Sequence, residues 1–173
     1  MHLATRLGRY IWFFLIYSFL GAVVETVFRL VTEHHLYGIN GFLHLPIFPI
    51  YGVGALLIIF LLSGRVRHVV PLFFAGALLT TALEFIAHWL IEAVFNERIW
   101  DYSNTAFNID GRVSLVSSIG FGIAAVLLVY FIHPWLDKQF DRLPNKVNVV
   151  VASVVILGLS TDIITSIIER LVD

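Results

Sequence analysis

Glu84, His88 and Glu92 recur at every fourth position of an apolar run from Val69 to Phe95. Residues four apart share one face of a helix, so this spacing lines a carboxylate, an imidazole and a second carboxylate along one stripe. Such a set can pass a proton, work as a general acid–base pair, or hold a polar solute. The run leads into Ile99-Trp100-Asp101-Tyr102-Ser103 and then Asn108-Ile109-Asp110-Gly111-Arg112. The stretch from Phe73 to Arg112 is therefore the one the chain is organised around. Two other apolar runs carry similar stripes: Ser18, Gly21, Glu25, Arg29 and Thr32 in the first, and Gly158, Asp162, Thr165 or Ser166, and Glu169 in the last. An ionisable residue at the centre of a membrane helix costs at least ~2.5 kcal/mol to insert, which makes it a functional candidate by default.

The elements that must position these residues follow from composition. Of 173 residues, 59% are hydrophobic and 13% charged. Mean hydropathy is +0.90. Soluble domains carry about a quarter charged residues, so the chain reads as a membrane protein. A net charge of -1 argues against a nucleic-acid partner, which needs a basic face. The absence of cysteine excludes disulfides and thiolate chemistry. No G-x-x-x-x-G-K-[ST] loop occurs, so an ATP-driven step would need a partner chain.

Five segments approach the ~20 residues that cross a bilayer core: about 10–31, 43–62, 69–95, 113–133 and 147–168. All are expected to be helices, since a chain in lipid must satisfy its own backbone. The second opens on Pro46 and Pro49, and the fourth is expected to stop at Pro134. The first is too long for a signal-peptide core and reads as a retained span. The fold class is an all-α polytopic helical bundle forming a single transmembrane domain over 1–173. Arg6, Arg9, Arg65, Arg67, Lys138, Arg142 and Lys146 fall on one side; Arg98, Arg112 and Arg170 fall on the other, with Arg29 near its edge. The richer side is the cytoplasmic one. This predicts a cell-membrane protein with its N-terminus inside and its C-terminus outside.

The chain also repeats itself. Aligned without gaps, the segments from Gly41 and from Gly111 match Leu45 to Leu115, Tyr51 to Phe121 and Gly52 to Gly122. A helix with a glutamate precedes each, Glu25 or Glu84, with Arg29 or His88 four residues on. The pattern predicts a parallel repeat, about 10–64 and 70–134, followed by the fifth span.

In that orientation Glu25, Glu84 and Asp162 each lie about 22 Å along their helix, at 1.5 Å per residue. Asn40, Asp101, Tyr102, Asn108 and Arg112 then sit on the loops above them. The expectation is an outward-facing polar pocket, with Arg29 and Arg112 as planar forks for carboxylate or phosphate. The competing reading is structural: Glu25 with Arg29, and Glu84 with His88, as neutralised pairs that fix helix packing. Glu33, His34, His35 and His44 match no standard metal-ligand spacing and read as solvated loop residues. No metal and no cofactor is expected. Gly52, Gly54, Gly120 and Gly122 read as positions of close helix approach.

Several of these motifs together resemble a known family. Y-S-F-L-G-A-V-V-E-T-V-F-R, N-G-F with P-I-Y-G, L-E-F, W-D-Y-S and N-I-D-G-R-V-S-L are similar to the Putative ABC-transporter type IV, or CmpB-like, family of small bacterial multi-pass membrane proteins. The chain is also similar to the vertebrate transmembrane protein 229 family. The resemblance covers about 17–134 and implies a permease-like role, with no established set of functional residues to carry over.

The expected function is a permease-like protein that binds a small polar or anionic solute, or a lipid headgroup, through Glu25, Arg29, Asn40, Glu84, His88, Asp101, Tyr102, Asn108, Arg112 and Asp162. The bilayer, and a homodimer or a separate subunit, are the expected partners. One alternative is an intramembrane enzyme on a lipid-linked substrate, with Glu84 and His88 as its acid–base pair. Another is an accessory subunit with no substrate.

Overall fold

The computed structural model describes residues 3–33, 44–141 and 144–172. Its elements are helices: α1 Leu3–Glu33, α2 Pro49–Leu61, α3 Val69–Phe95, α4 Leu115–Leu127, α5 His133–Phe140 and α6 Asn145–Val172. Among the described residues, four segments are long and apolar enough to cross a membrane: Leu7–Val27, Val69–Phe95, Leu115–Phe140 and Lys146–Val172. α2 is apolar but shorter. The chain is an all-α membrane protein. Its surface is apolar as lipid demands: Leu78, Phe74, Phe131 and Leu157 are each more than 60% exposed.

The expected end of the fourth span is not where the helix ends. A π turn, Leu128–Ile132, joins α4 to α5, and the helix continues through Pro134 to Phe140. The His133 N–H reaches back to the Leu128 carbonyl, one residue further than an α-helix does. A π turn placed just before a proline absorbs the lost donor and the ring clash that otherwise break a helix. Pro71 is harmless for a simpler reason. It lies in the first turn of α3, where N–H groups have no helical partner. α2 starts at Pro49 rather than in the apolar residues before it, with Pro49 at its first position.

The chain divides into two compact units, one of Met1–Val53 with Gln139–Asp173, the other of Gly54–Lys138. In the first, α1 packs on α6. α6 buries one stripe, Asn148, Ala152, Asp162 and Ser166, and α1 buries Phe13, Tyr17, Ser18 and Ala22. The Gly52 Cα is so close to α1 that an added Cβ would lie 2.6 Å from the Phe14 carbonyl oxygen. In the second unit α3 packs on α4. A Cβ on Gly122 would lie 2.6 Å from the Phe73 ring. Gly120, expected to serve the same purpose, has nothing within 4 Å of its Cβ position.

Candidate functional site

α3 positions the main candidates of the second unit. Glu84 is 6% exposed and His88 2%. Both are on the α3 face that meets α4 and the 96–114 loop. α3 stops at Asn96, whose left-handed backbone (φ 52°) and N–H to the Glu92 carbonyl turn the chain out of the helix. α4 starts at Ser114 through a capping box: the Ser114 side chain accepts from the Ser117 N–H, and Ser117 Oγ accepts from the Ser114 N–H. That box also fixes Ser117 beside Glu84.

The carboxylate of Glu84 accepts from the Tyr102 hydroxyl at 3.1 Å and stands 3.3 Å from Ser117 Oγ. Ser117 has one hydroxyl hydrogen, which can go to Glu84 or to the Ser114 carbonyl 2.9 Å away. His88 Nε2 is 2.9 Å from the Trp100 carbonyl oxygen. A carbonyl only accepts, so Nε2 carries the hydrogen and the neutral ring presents a lone pair at Nδ1. Nδ1 is buried and has no hydrogen-bond partner among the described residues. Glu92 Oε2 is the nearest acid at 3.8 Å, beyond hydrogen-bond range. The indole of Trp100 meets the imidazole edge to face, 5.0 Å between centroids, and its N–H donates to the Arg112 carbonyl.

Above these groups the loop is built from its own polar side chains. Asn108 Nδ2 donates to the Ser103 and Thr105 carbonyls, and its Oδ1 accepts from the Gly111 N–H. Asp101 accepts from the hydroxyl and the main-chain N–H of Ser103. The hydroxyl first, then the N–H, hold its carboxyl below the usual range. Gly111 closes the turn at φ +70°, and a Cβ there would lie 2.6 Å from Asp101 Oδ1. Arg112 donates to Glu92 at 2.8 Å and to Asp110 at 3.0 Å, and its guanidinium lies over the Phe85 ring. Glu92 also accepts from Arg98, whose guanidinium that bond raises above its ordinary value. Arg112 therefore spends one N–H on Glu92 and one on Asp110, while its buried Nε has no hydrogen-bond partner among the described residues.

The first unit holds two of the remaining candidates. Glu25 accepts from the Tyr51 hydroxyl at 2.6 Å, with the Tyr51 ring laid across Gly21. Asp162, 8% exposed, accepts from the main-chain N–H groups of His44 and Leu45 at 3.1 and 3.0 Å and contacts the His44 ring. Asn40 and the side chain of Arg29 lie outside the described residues. Thus Glu84, His88, Tyr102 and Arg112 gather in the second unit, while Asp101 and Asn108 brace the loop that carries Tyr102. Ser117 and Tyr51 were not among the expected site residues. The Ser114-x-x-Ser117 spacing ahead of an apolar run is the sequence signal that would have found the first.

Comparison with known proteins adds a family. The family model described as Putative ABC-transporter type IV matches residues 12–167, nearly the whole chain, and the chain belongs to that family. No curated protein and no solved structure matches it.

Proposed function

We propose that this member of the Putative ABC-transporter type IV family is a permease-like membrane protein that takes a small polar solute or a lipid headgroup at the Glu84–His88 site. One observation carries the reading. An apolar membrane helix buries His88 almost completely and leaves its Nδ1 without a hydrogen-bond partner among the described residues. A buried polar atom without a partner costs about 1–3 kcal/mol, so an occupant that supplies one is favoured.

The tautomer sets what that occupant offers. With Nε2–H committed to Trp100, Nδ1 accepts, and it suits a hydroxyl, an ammonium or a proton. The engagement of Arg112 with Glu92 and Asp110 weighs against an anion. Glu25 with Tyr51 is the counterpart of Glu84 with Tyr102 and Ser117, a carboxylate met by hydroxyls in each half. Phe14 on Gly52 and Phe73 on Gly122 support the same duplication, because each phenylalanine stands eleven residues before its glutamate. The orientation that fits the basic connections has the N-terminus in the cytoplasm and the C-terminus outside.

The test is native mass spectrometry of the protein released from its own membranes. The wild type should carry a bound lipid or solute that Glu84→Gln and His88→Gln both lose while keeping wild-type circular dichroism. An identical complement in all three leaves the accessory-subunit reading in its place. If an adduct appears as cleaved product in the wild type and as intact lipid in Glu84→Gln, the intramembrane enzyme replaces the permease.

A further inference from the structure

The residues leading into α2 meet α6 in a polar cluster that the proposed site does not use. His44 lies 118 residues from Asp162, yet its ring Nδ1 is 2.9 Å from Asp162 Oδ1. Its Nε2 is 3.0 Å from Glu169 Oε2. Ser166 Oγ, in a residue with no exposed surface, is 3.1 Å from Nδ1. The main-chain N–H groups of His44 and Leu45 complete the attachment to the Asp162 carboxylate.

An ionised carboxylate only accepts. Two carboxylates on opposite nitrogens of one imidazole can both be served only when the ring carries two hydrogens. We propose that His44 is a proton-dependent clasp: its imidazolium bridges Asp162 and Glu169 and holds the entry to α2 against α6.

Loss of one proton has a defined alternative in the same geometry. Nε2–H stays on Glu169, and the Ser166 hydroxyl turns to donate to Nδ1. Asp162 then keeps its two main-chain donors but faces a lone pair 2.9 Å away. The clasp has two states that differ by one proton, and the neutral one is the weaker. Asp162 and Glu169 are the titratable groups in contact with the ring, both from α6. Arg170, on the same helix, donates to the Ser166 carbonyl at 3.3 Å. Among the described residues no titratable group of α1 or α2 touches the ring. The His44 side chain is 57% exposed.

Only a ring with both hydrogens serves both carboxylates, so the bridge is complete in acid and loses one arm as pH rises. The experiment is amide hydrogen exchange by mass spectrometry on the full chain in detergent micelles. Protection of residues 45–48 is followed between about pH 5 and 8, the range in which histidine changes charge. Rates are corrected for their intrinsic pH dependence with a peptide from α3 as internal reference. Protection in the wild type should fall by about two- to twelve-fold, the equivalent of one hydrogen bond. His44→Gln should show no such fall. A flat wild-type profile, or an unchanged fall in His44→Gln, overturns the clasp. Because that variant could fail to fold, Glu169→Gln provides a second test at an exposed position. It should reduce the fall, and a full wild-type fall in it overturns the proposal equally.

Discussion

His88 donates its Nε2 hydrogen to the carbonyl of Trp100 across 2.9 Å, so a helix face and a loop twelve residues further on share one hydrogen bond. That bond, with the one from the Tyr102 hydroxyl to Glu84, ties the ionisable stripe of α3 to the W-D-Y-S motif. Replacing the ring breaks it and leaves the Trp100 carbonyl without its donor. His88→Leu should destabilise the protein by about 1–3 kcal/mol, the cost of a buried polar group left unpaired. The same change should speed tryptic cleavage after Arg98, since the loop loses one of its ties to α3. Limited proteolysis in micelles, alongside a thermal melt, measures both.

Asp101 makes the loop sensitive to acid. Its carboxyl is held below its usual range by Ser103, so the ionised form is favoured in the folded loop. A carboxyl depressed in this way supports the fold above its unfolded value near 3.8, and that support is lost as pH falls through the folded value. The loop should therefore loosen below about pH 4, the ordinary carboxylate range. Asp101→Asn should behave at neutral pH as the wild type does in acid. The difference in tryptophan emission between the wild type and Trp100→Phe, followed from neutral pH downward, reports it.

Gly122 and Gly120 provide a matched pair on α4. A methyl group on Gly122 would meet the Phe73 ring at 2.6 Å, whereas on Gly120 it meets nothing within 4 Å. Gly122→Ala should cost about 1–3 kcal/mol through overpacking at the α3–α4 contact. Gly120→Ala should be neutral or stabilise by up to about 1 kcal/mol through helix propensity. Thermal midpoints of the two variants in one detergent decide it. Equal midpoints would show that α3 and α4 do not pack as described.

What could be read in the amino acids depended on how local the cause was. The α3 helix and its buried stripe are visible because 3.6-residue periodicity and a polar residue in an apolar run are properties of neighbours. Glu84 and His88 are accordingly almost wholly buried. The π turn was not legible, since it depends on how the helix accommodates Pro134, and proline by itself signals a stop. His44 was read as a solvated loop residue. Its ties to Asp162 and Glu169 span more than a hundred residues, and no spacing rule connects them. The role of Arg112 was hidden for a related reason. Its type predicts a fork for an anion, but whether that fork is vacant depends on Glu92 and Asp110, which pairwise sequence patterns do not weigh.

The orientation of the chain turns on α2. Among the described residues, four segments have the length to cross a membrane unaided. α2 has 13 residues, about 20 Å at 1.5 Å per residue, which is short of a hydrocarbon core of about 30 Å. If α2 with the apolar residues flanking it completes a crossing, the count is odd and the termini lie on opposite sides. The basic residues favour that outcome: Arg6 and Arg9 stand at the start of α1, Arg65 and Arg67 follow α2, Lys138 and Lys146 flank the connection before α6, and the first pair shares a side with the other four only if α2 crosses. A C-terminal alkaline phosphatase fusion should then be active in a bacterial host, and a fusion after Arg67 should be inactive. An inactive C-terminal fusion, with a fluorescent protein glowing at the same junction, would place both termini in the cytoplasm. In that case α2 would be a re-entrant helix, whose ends would be near the same membrane face.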